Sequence, residues 1–408
     1  MPEPIVVTGL GAVSALGLTV QENWAAAVEG RGGIAIEAFD TQPHGPPAAH
    51  FPAALVKGDA IAAIEAALGR RIGGSLDLFS LYALLAAHEA LTQAGLTGAR
   101  LGARAAVVIG NGIGGLRTLE KGYERLFGMK ATKVHPLTIP RVMVSAPVSA
   151  IAMEFGVTGP VFATSSACAS SGHAVSQGAM MIQAGLADLA IVGGSEAMAS
   201  PGGLRSWDSL GAMSKSACRP FSRDRDGMVV GEGGAALVIE RESHARARGA
   251  AVLATLAGWG LSSDAFHWTQ PSLEGAVSAM RQAAEAADIR PGEQVLISAH
   301  GTGTELNDVN EAQAVQALFG AGAANCPVIG TKSAHGHVIG ASAALQAVIA
   351  IQALRAGLAP PILGYLGPDE ACAGLDLVLG EARPIAAKAT LVNAFAFGGL
   401  NAVLAFRV

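Results

Sequence analysis

The sequence is short of charge and of aromatic side chains. Only 14% of its 408 residues are charged and 5% are aromatic, whereas about 25% of the residues in an average soluble protein are charged. Disordered chains are polar and rich in charge, so this composition excludes a disordered protein. The 27 lysines and arginines are outnumbered by 32 aspartates and glutamates, which excludes a basic nucleic-acid platform.

Cysteines are also few, and no two of them form a CxxC pair. The wide spacing argues against a disulfide framework and against a structural zinc site. Any cysteine that matters is therefore expected to act as a free thiol. The four cysteines are Cys168, Cys218, Cys326 and Cys372.

No apolar run is long enough to predict a membrane span. The best candidate, 341–354, is interrupted by polar residues, and a spanning helix needs about 20 apolar residues. The acidic start Met1–Pro4, with Arg31 as the first basic residue, does not read as a secretory signal peptide. We expect a soluble, cytoplasmic protein.

What the sequence has in excess is glycine and small apolar residues. It contains 53 glycines, 51% of its residues are hydrophobic, and its mean hydropathy is +0.41. This composition predicts a large core in which backbones pack close together.

Short β-branched runs alternate with longer helical segments, which is typical of an α/β sheet covered by helices. A predicted strand, Ile5–Thr8, runs into Gly9-Leu-Gly11, and the pattern restarts where Val252–Ala257 runs into Gly258-Trp-Gly260. We therefore predict a duplicated α/β unit whose halves meet near residues 241–251 and share one core.

The segment Thr164–Gly172 places Cys168 among small residues, between a predicted strand and the predicted helix Cys168–Ala184. A helix N-terminus lowers the pKa of a thiol, which would favour a nucleophile. The alternative is a small buried residue near a helix start, a common place for a free cysteine. This segment alone leaves both interpretations open.

Two histidines follow predicted strands on glycine turns. His300 opens the sequence HGTGT, and His337 closes KSAHGH, at the start of the predicted helix His337–Leu354. Each is either presented for chemistry or is a hydrogen-bonded core histidine. His335 and His337 could suggest a metal, but no third ligand lies nearby, so we predict no metal site.

A further glycine turn, Asn393–Asn401, separates the last two predicted strands. It is either a simple hairpin or a set of backbone N–H groups aimed at an oxyanion. Other glycine segments do not have the spacing of a dinucleotide or phosphate loop.

The cysteine, the HGTGT histidine, the KSxxGH histidine and the FxFGG turn, in this order, resemble the β-ketoacyl-[acyl-carrier-protein] synthases. The similarity is to the elongating type II enzymes, synthases I and II, and it spans essentially the whole chain. It implies an α/β, thiolase-like five-layer αβαβα sandwich of two similar halves that works as a dimer. Residues 1–246 would carry the nucleophile and residues 247–408 the two histidines.

The resemblance also implies a role for each matched residue. Cys168 would accept an acyl chain as a thioester, and the backbone N–H groups of Cys168 and Phe397 would bind the oxyanion. His300 and His337, as neutral imidazoles, would stabilise the enolate that malonyl decarboxylation leaves. The enolate would attack the Cys168 thioester, giving a 3-oxoacyl product two carbons longer.

Supporting residues are implied in the same way. A Lys332–Glu311 pair would organise the site, and Thr302 and Thr304 would hold the pantetheine arm. The substrate-binding set also includes Ile113, Met228, Gly398 and Gly399. The partners would be acyl- and malonyl-loaded acyl carrier protein and a second, identical or related subunit. No metal or organic cofactor would be needed.

Departures from the family pattern concern the acyl chain. Ile113 matches the residue that gates the inner acyl pocket of synthase II, where synthase I has glycine. Met228 stands where the family often has Phe, Ala396 replaces a glycine, and Leu400 replaces a threonine. We expect a pocket suited to an unusual chain, such as a polyene or an aryl-primed chain, in fatty-acid or polyketide synthesis.

Three rival functions follow from the same residues. A degradative thiolase would need a second cysteine near the C-terminus, where this chain has Phe395–Gly399 without one. A chain-length-factor subunit lacks the nucleophile, which is present here as Cys168. A cysteine hydrolase would need one base and access for water, which two histidines on separate turns fit less well.

Overall fold

A computed structural model describes residues 3–40, 43 and 45–408. Met1 and Pro2, which contributed to the N-terminal prediction, lie outside the described residues, as do positions 41, 42 and 44 of the predicted first half. The strands are β1 (Ile5–Ser14), β2 (Ala35–Phe39), β3 (Ala49–Ala54), β4 (Ala105–Gly110), β5 (Val161–Thr164), β6 (Leu189–Glu196), β7 (Val230–Gly231), β8 (Gly233–Arg241), β9 (Ala254–Ser263), β10 (Val295–Ser298), β11 (Pro327–Ile329), β12 (Leu358–Ala359), β13 (Asp376–Leu377), β14 (Arg383–Pro384), β15 (Ala389–Ala396) and β16 (Leu400–Arg407).

The α-helices complete the described structure. They are α1 (Val20–Val28), α2 (Ala60–Leu68), α3 (Leu78–Gln93), α4 (Leu116–Tyr123), α5 (Thr138–Val142), α6 (Ala146–Phe155), α7 (Ser170–Gln183), α8 (Pro201–Ser209), α9 (Glu242–Ala247), α10 (Leu273–Ala286), α11 (Glu305–Phe319), α12 (Lys332–His335) and α13 (Ser342–Ala356).

The two halves of the chain repeat one topology. In the first half the strand order is β5-β4-β6-β8-β1, and in the second it is β11-β10-β15-β16-β9. In each half the first three of these strands are parallel and the last two pair antiparallel. A short antiparallel contact of Ile5–Val7 with Ala254–Leu256 joins the two sheets. The predicted duplication and shared core are therefore confirmed.

Helices α7 and α13 lie between the sheets, whereas α3 and α6 cover one outer face and α10 and α11 the other. Strand β4 shows why both faces are apolar. Ala106 and Val108 point into the central layer, and Val107 and Ile109 point towards α3, as the two-residue period of a strand requires. These layers confirm the predicted five-layer αβαβα sandwich.

The central helix α13 explains the most apolar stretch of the sequence. Ile339–Ala356 is long and apolar enough to cross a membrane by length and composition, but 83% of it is buried inside the protein. Its start differs from the prediction, because the α-helix begins at Ser342 rather than at His337. The N–H of His337 instead donates to the carbonyl of Val229 at 2.6 Å, which holds His337 in a bridge to the neighbouring strand β7.

The repeated glycine pairs bring helices onto strands. A Cβ atom added to Gly11 would overlap the carbonyl oxygen of Ala86 on α3, and one added to Gly260 would overlap that of Ala279 on α10. Backbone therefore packs directly on backbone in both halves, which accounts for part of the glycine excess.

Gly11→Ala and Gly260→Ala are each expected to destabilise the protein by about 2 kcal/mol or more, because an overpacked contact between backbones cannot relax cheaply. The matched control is Gly322→Ala, since an added Cβ there meets nothing within 4 Å. Thermal unfolding followed by circular dichroism measures the difference. Equal melting temperatures for the Gly11 variant and the control would contradict this packing.

Candidate active site

Cys168 lies in a tight turn, Ala167–Ala169, between β5 and α7. The turn is strained, since Ala167 has φ +49°, in the region that non-glycine residues rarely adopt. The Cys168 thiol is buried, and the backbone N–H groups of Cys168 and Phe397 both act on its sulfur, each lowering the pKa of the thiol. Two converging N–H donors at this point are the arrangement expected of an oxyanion hole.

The thiol is not acidic in this structure. Burial raises the pKa of Cys168 to about 11, which outweighs the lowering by the charge of Lys332 and by the two N–H groups. The expectation that the helix N-terminus would lower this pKa was therefore wrong in its net direction. The local donors act as expected, but exclusion of water from the site has the larger effect.

His337 faces the thiol directly, with its Nε2 atom 3.1 Å from Sγ. Its Nδ1 atom accepts the N–H of Ile339 at 3.2 Å and lies 2.9 Å from the hydroxyl of Ser342. A nitrogen that accepts an N–H carries no proton, so we assign the ring proton to Nε2. Burial, assisted by the charge of Lys332, holds the pKa of His337 well below its usual value. His337 is thus a neutral donor aimed at the Cys168 sulfur.

His300 has the same protonation pattern. Its Nδ1 atom lies 3.3 Å from the ammonium group of Lys332, a donor, which places the ring proton on Nε2. Its ring packs edge-on to that of His337, with centroids 5.4 Å apart. Burial and the same lysine hold the pKa of His300 well below its usual value.

Lys332 and Glu311 meet at the backbone of His300. Glu311 accepts the N–H groups of His300 and Gly301 at 2.7 and 2.8 Å, and Lys332 donates to the carbonyl of His300. No direct Lys332–Glu311 ion pair occurs, so the expected pair acts through the backbone between the two residues. Burial lowers the pKa of Lys332, and the charge of Glu311 opposes that shift. Burial raises the pKa of Glu311 to about 7, and hydrogen bonds from Gly301, Asn393 and His300 oppose that shift.

Cys168, His300 and His337 are also the candidates for binding a metal among the described residues, since one ligand atom of each lies within 4.8 Å of the others. A metal would need the Nε2 lone pairs, which the assigned tautomers protonate. His335 is outside this group. Its Nδ1 lies 2.7 Å from the carbonyl of Gly336, and burial lowers its pKa to about 3.

A cavity of about 340 Å³ borders this cluster through Phe395, whose ring packs edge-on to that of His300 with centroids 6.2 Å apart. Thr304 and the turn Phe397–Gly399 line it, and Phe397 borders both the cavity and the thiol. Thr302 is buried beside it, with its hydroxyl 2.8 Å from that of Thr304. The turn is held open by Gly398 (φ +80°) and Gly399 (φ +71°), and the ring of Phe397 stacks on Trp207.

The two residues expected to shape the acyl pocket lie in different surroundings. Met228 is buried in an apolar cluster that also contains Cys168, Met198 and Met213. Ile113, the expected gate, is 45% exposed in the single chain and is not part of that cluster. Its gating role stays a prediction.

Sequence reasoning missed several residues that support the site. Gln346 accepts a hydrogen bond from Lys332 at 2.7 Å and donates to the carbonyl of Ala299, and Asn393 donates to Glu311 at 2.9 Å. Ser342 and Gln346 were visible in the sequence only as polar residues in an apolar helix. A polar residue buried in such a helix needs a hydrogen-bond partner, so these two residues could have been predicted to contact other polar groups.

The fold and the cluster define a thiolase-fold enzyme class with one cysteine and two histidines at its centre. Comparison with known families then shows that the chain belongs to the β-ketoacyl synthases. The profile described as "Beta-ketoacyl synthase, N-terminal domain" matches residues 2–245, and that of the "C-terminal domain" matches residues 253–366.

Individual relatives are similar to this chain in sequence over essentially their full length. "Nodulation protein E" of Rhizobium meliloti (strain 1021) is 38% identical and covers 100% of both chains. "3-oxoacyl-[acyl-carrier-protein] synthase 2" of Vibrio cholerae serotype O1 is 36% identical, covering 99% of this chain and 98% of that protein.

Solved structures of related proteins superpose on this chain over its whole length. The ishigamide ketosynthase/chain length factor has a TM-score of 0.91 at 30% identity, with 100% of both chains covered. AntDE:AntF, a type II PKS acyl-carrier protein in complex with its ketosynthase, has a TM-score of 0.85 at 27% identity, again with 100% coverage of both chains.

The raised thiol pKa predicts the pH dependence of alkylation. Because only the thiolate reacts, the rate of Cys168 alkylation by iodoacetamide is expected to rise about tenfold per pH unit from pH 7 to pH 9.5 without a plateau. Peptide mass spectrometry measures the rate, with glutathione as the reference thiol and Cys168→Ser as the blank. A plateau near pH 7 would contradict the assignment of a neutral thiol.

Proposed function

We propose that this protein is a β-ketoacyl-[acyl-carrier-protein] synthase that elongates an acyl chain held on Cys168 by decarboxylative condensation with a malonyl thioester. The observation that carries the proposal is the set of four donors around one thiol. Two are the N–H groups assigned to the neutral rings of His300 and His337, each of which has a ring nitrogen within 4.8 Å of the sulfur, and two are the backbone N–H groups of Cys168 and Phe397.

The first half-reaction loads the enzyme. The Cys168 sulfur attacks the carbonyl carbon of an acyl thioester, and the two backbone N–H groups bind the oxyanion that forms. The intermediate collapses by breaking the bond to the carrier sulfur, which takes up the proton that Cys168 loses. The acyl chain is then a thioester on Cys168, and the carrier leaves as a thiol.

The second half-reaction makes the carbon–carbon bond. The malonyl carboxylate departs as carbon dioxide, and its bonding electron pair forms an enolate whose oxygen accepts the Nε2–H groups of His300 and His337. The enolate carbon attacks the Cys168 thioester, the bond from the acyl carbon to sulfur breaks, and the sulfur leaves as a thiolate that takes up one proton from solvent. Neutral donors suit this step, because negative charge develops on an oxygen and no proton needs to be removed.

The proposal assigns carriers and partners as well. The cavity at Thr304 and Phe397–Gly399 would admit the pantetheine arm of acyl carrier protein in the cytoplasm. Residues 1–246 would supply the nucleophile, and residues 247–408 would supply the histidines.

Large apolar side chains of the segment 113–144 are exposed in the single chain, which supports a dimer with an identical or related subunit. They are Ile113, Tyr123, Phe127, Met129, Leu137, Ile139, Met143 and Val144.

The rival functions fit the site less well. The thiols of Cys218, Cys326 and Cys372 lie outside the cluster of Cys168 with the two histidines, so a thiolase base is missing among the described residues. A purely structural chain-length factor would not need a thiol with two aimed imidazoles and an oxyanion hole.

Separate assays of the two half-reactions test this mechanism. His300→Ala is expected to load an acyl chain on Cys168 at nearly the parental rate but to lose about 100-fold or more in malonyl decarboxylation, since one enolate donor is gone. Cys168→Ala is expected to load nothing and to make no 3-oxoacyl product. Loading is measured by intact-protein mass spectrometry and decarboxylation by released carbon dioxide. A Cys168→Ala variant that still condenses would overturn the proposal.

The chain itself is proposed to be unsaturated or aryl-primed. Three methionines, Met198, Met213 and Met228, share the apolar cluster with Cys168. Methionine adapts to irregular shapes, and its sulfur makes favourable contacts with π systems. Ala396 belongs to the same cluster and Leu400 packs against it, so three of the departures from the family pattern share the apolar surroundings of the thiol.

A panel of acyl carrier proteins loaded with chains of equal length tests this second proposal. A conjugated polyenoyl chain is expected to acylate Cys168 at least about fivefold faster than its saturated counterpart, which corresponds to about 1 kcal/mol. Met228→Leu keeps the volume but removes the sulfur, so it should reduce the preference. Equal loading of ordinary saturated C6–C14 chains would contradict an unusual substrate while leaving the condensation itself untouched.

A further inference from the structure

Glu196 is a buried carboxylate that the reaction above does not use. It is the last residue of β6, and its side chain has no exposure to solvent. The groups that stabilise the charge of this carboxylate are backbone N–H groups. No positively charged side chain contributes, among the residues that the structure describes. A carboxylate buried without a cation is costly to the fold. Its presence therefore calls for an explanation in terms of what it holds.

The carboxylate joins two loops. Its Oε2 atom accepts the N–H of Gly112 at 2.6 Å and the N–H of Gly340 at 3.2 Å, and the N–H of Ile113 acts on the same group. Gly112 and Ile113 belong to the segment Gly110–Gly115 after β4, which we call the gate loop. Gly340 belongs to the segment His337–Ala341, which we call the histidine turn.

The gate loop and the histidine turn lie so close together beside Glu196 that neither has space for an added side-chain atom at the contact. A Cβ atom added to Gly340 would lie 2.5 Å from the Cα atom of Asn111, and one added to Gly112 would lie 3.1 Å from a methyl group of Ile339. There is no room for a side chain between the two loops at these points. The acceptor shared between them therefore sets their relative position.

The histidine turn is strained at the residue next to Gly340. Ile339 has φ +35°, although a β-branched side chain disfavours this region strongly. In this conformation the N–H of Ile339 reaches Nδ1 of His337, the contact that assigns the ring proton to Nε2. Such strain persists only where the surroundings hold it, and Glu196 holds the next N–H along the chain.

The repeat within the fold shows what is special about this contact. The turn Ala167–Ala169 precedes α7 as Ile339–Ala341 precedes α13, and each begins with a residue at positive φ. Gly340 therefore occupies in the second half the place of Cys168 in the first. The N–H of Cys168 is left for the substrate oxyanion, whereas the N–H of Gly340 is bound by an internal carboxylate.

We propose that Glu196 is a positioning residue for the decarboxylation step, since its carboxylate fixes the histidine turn against the gate loop and so keeps Nε2 of His337 aimed at the reacting atoms. This inference rests on the condensation function proposed above and adds a residue to it. Glu196 touches no substrate; it acts through the backbone of Gly340 and Ile339.

Two variants of opposite character test the proposal. Glu196→Gln keeps the length and an acceptor oxygen but removes the charge, whereas Glu196→Asp keeps the charge but is too short to reach both loops. For malonyl-carrier decarboxylation, the Asp variant is expected to lose about tenfold or more in kcat with KM within about twofold, because small displacements of a catalytic group are costly. The Gln variant should stay within about threefold of the parent.

Controls separate positioning from folding. Rates are normalised to the amount of Cys168 that iodoacetamide can titrate. The matched pair is Glu240→Gln and Glu240→Asp, since Glu240 is also a buried carboxylate but lies at the far end of β8, bound to Arg248 and His244. These two variants are expected to keep the parental kcat per titrated thiol.

Each other outcome overturns the proposal. An Asp variant as active as the Gln variant, or more active, would mean that charge and not position matters. Parental kcat per titrated thiol in both variants, or a failure of both to give any titratable thiol, would make Glu196 a residue of stability alone. Absence of decarboxylation by the parent protein in the same assay would instead overturn the proposed function.

Discussion

Both imidazoles of the site receive a hydrogen bond at Nδ1, and the remaining features of the site depend on that fact. His337 receives the N–H of Ile339, and His300 receives the side chain of Lys332. A neutral ring with Nδ1 occupied in this way must carry its proton on Nε2. Nε2 of His337 lies 3.1 Å from the sulfur, and a ring nitrogen of His300 lies within 4.8 Å of it. Burial then keeps the rings neutral by holding the pKa of each histidine low. The same burial raises the pKa of Cys168 to about 11, so that this residue rests as a thiol.

The duplicated fold explains how these groups come together. In each half a tight turn that begins with a residue at positive φ precedes a central helix, and the two central helices lie side by side between the sheets. Cys168 stands at the turn before α7, and His337 precedes the equivalent turn before α13. The two equivalent turns differ in what their backbone N–H groups contact. In the first half the N–H of Cys168 acts on the thiol, and in the second Glu196 accepts the N–H of Gly340.

Much of this arrangement follows from the order of motifs along the chain. Cys168, His300 and His337 converge as their positions after predicted strands indicate, and the five-layer sandwich follows from the repeated α/β pattern together with the family resemblance. The paired glycines at Gly11 and Gly260 were visible as a repeat before their contacts with the helices were known.

Other features depend on quantities that a sequence does not contain. The pKa of Cys168 rises because burial outweighs the helix N-terminus, and burial is a property of the folded chain. Lys332 and Glu311 meet through the backbone of His300, a geometry that spacing cannot predict. The α-helix begins five residues later than expected, because His337 pairs with β7 first. Glu196 gave no signal, since a glutamate at the end of an apolar strand is ambiguous until its partners are known.

The central claim is that His300 and His337 are neutral donors through Nε2. Nitrogen-15 NMR of the protein with labelled histidine tests it most directly, with His300→Ala and His337→Asn used for assignment. The account predicts two rings that keep a protonated Nε2 and an unprotonated Nδ1 from pH 8 down to pH 6, because burial and the nearby lysine hold both pKa values well below the usual one. An imidazolium signal, or a proton on Nδ1, for either ring in this range would contradict it.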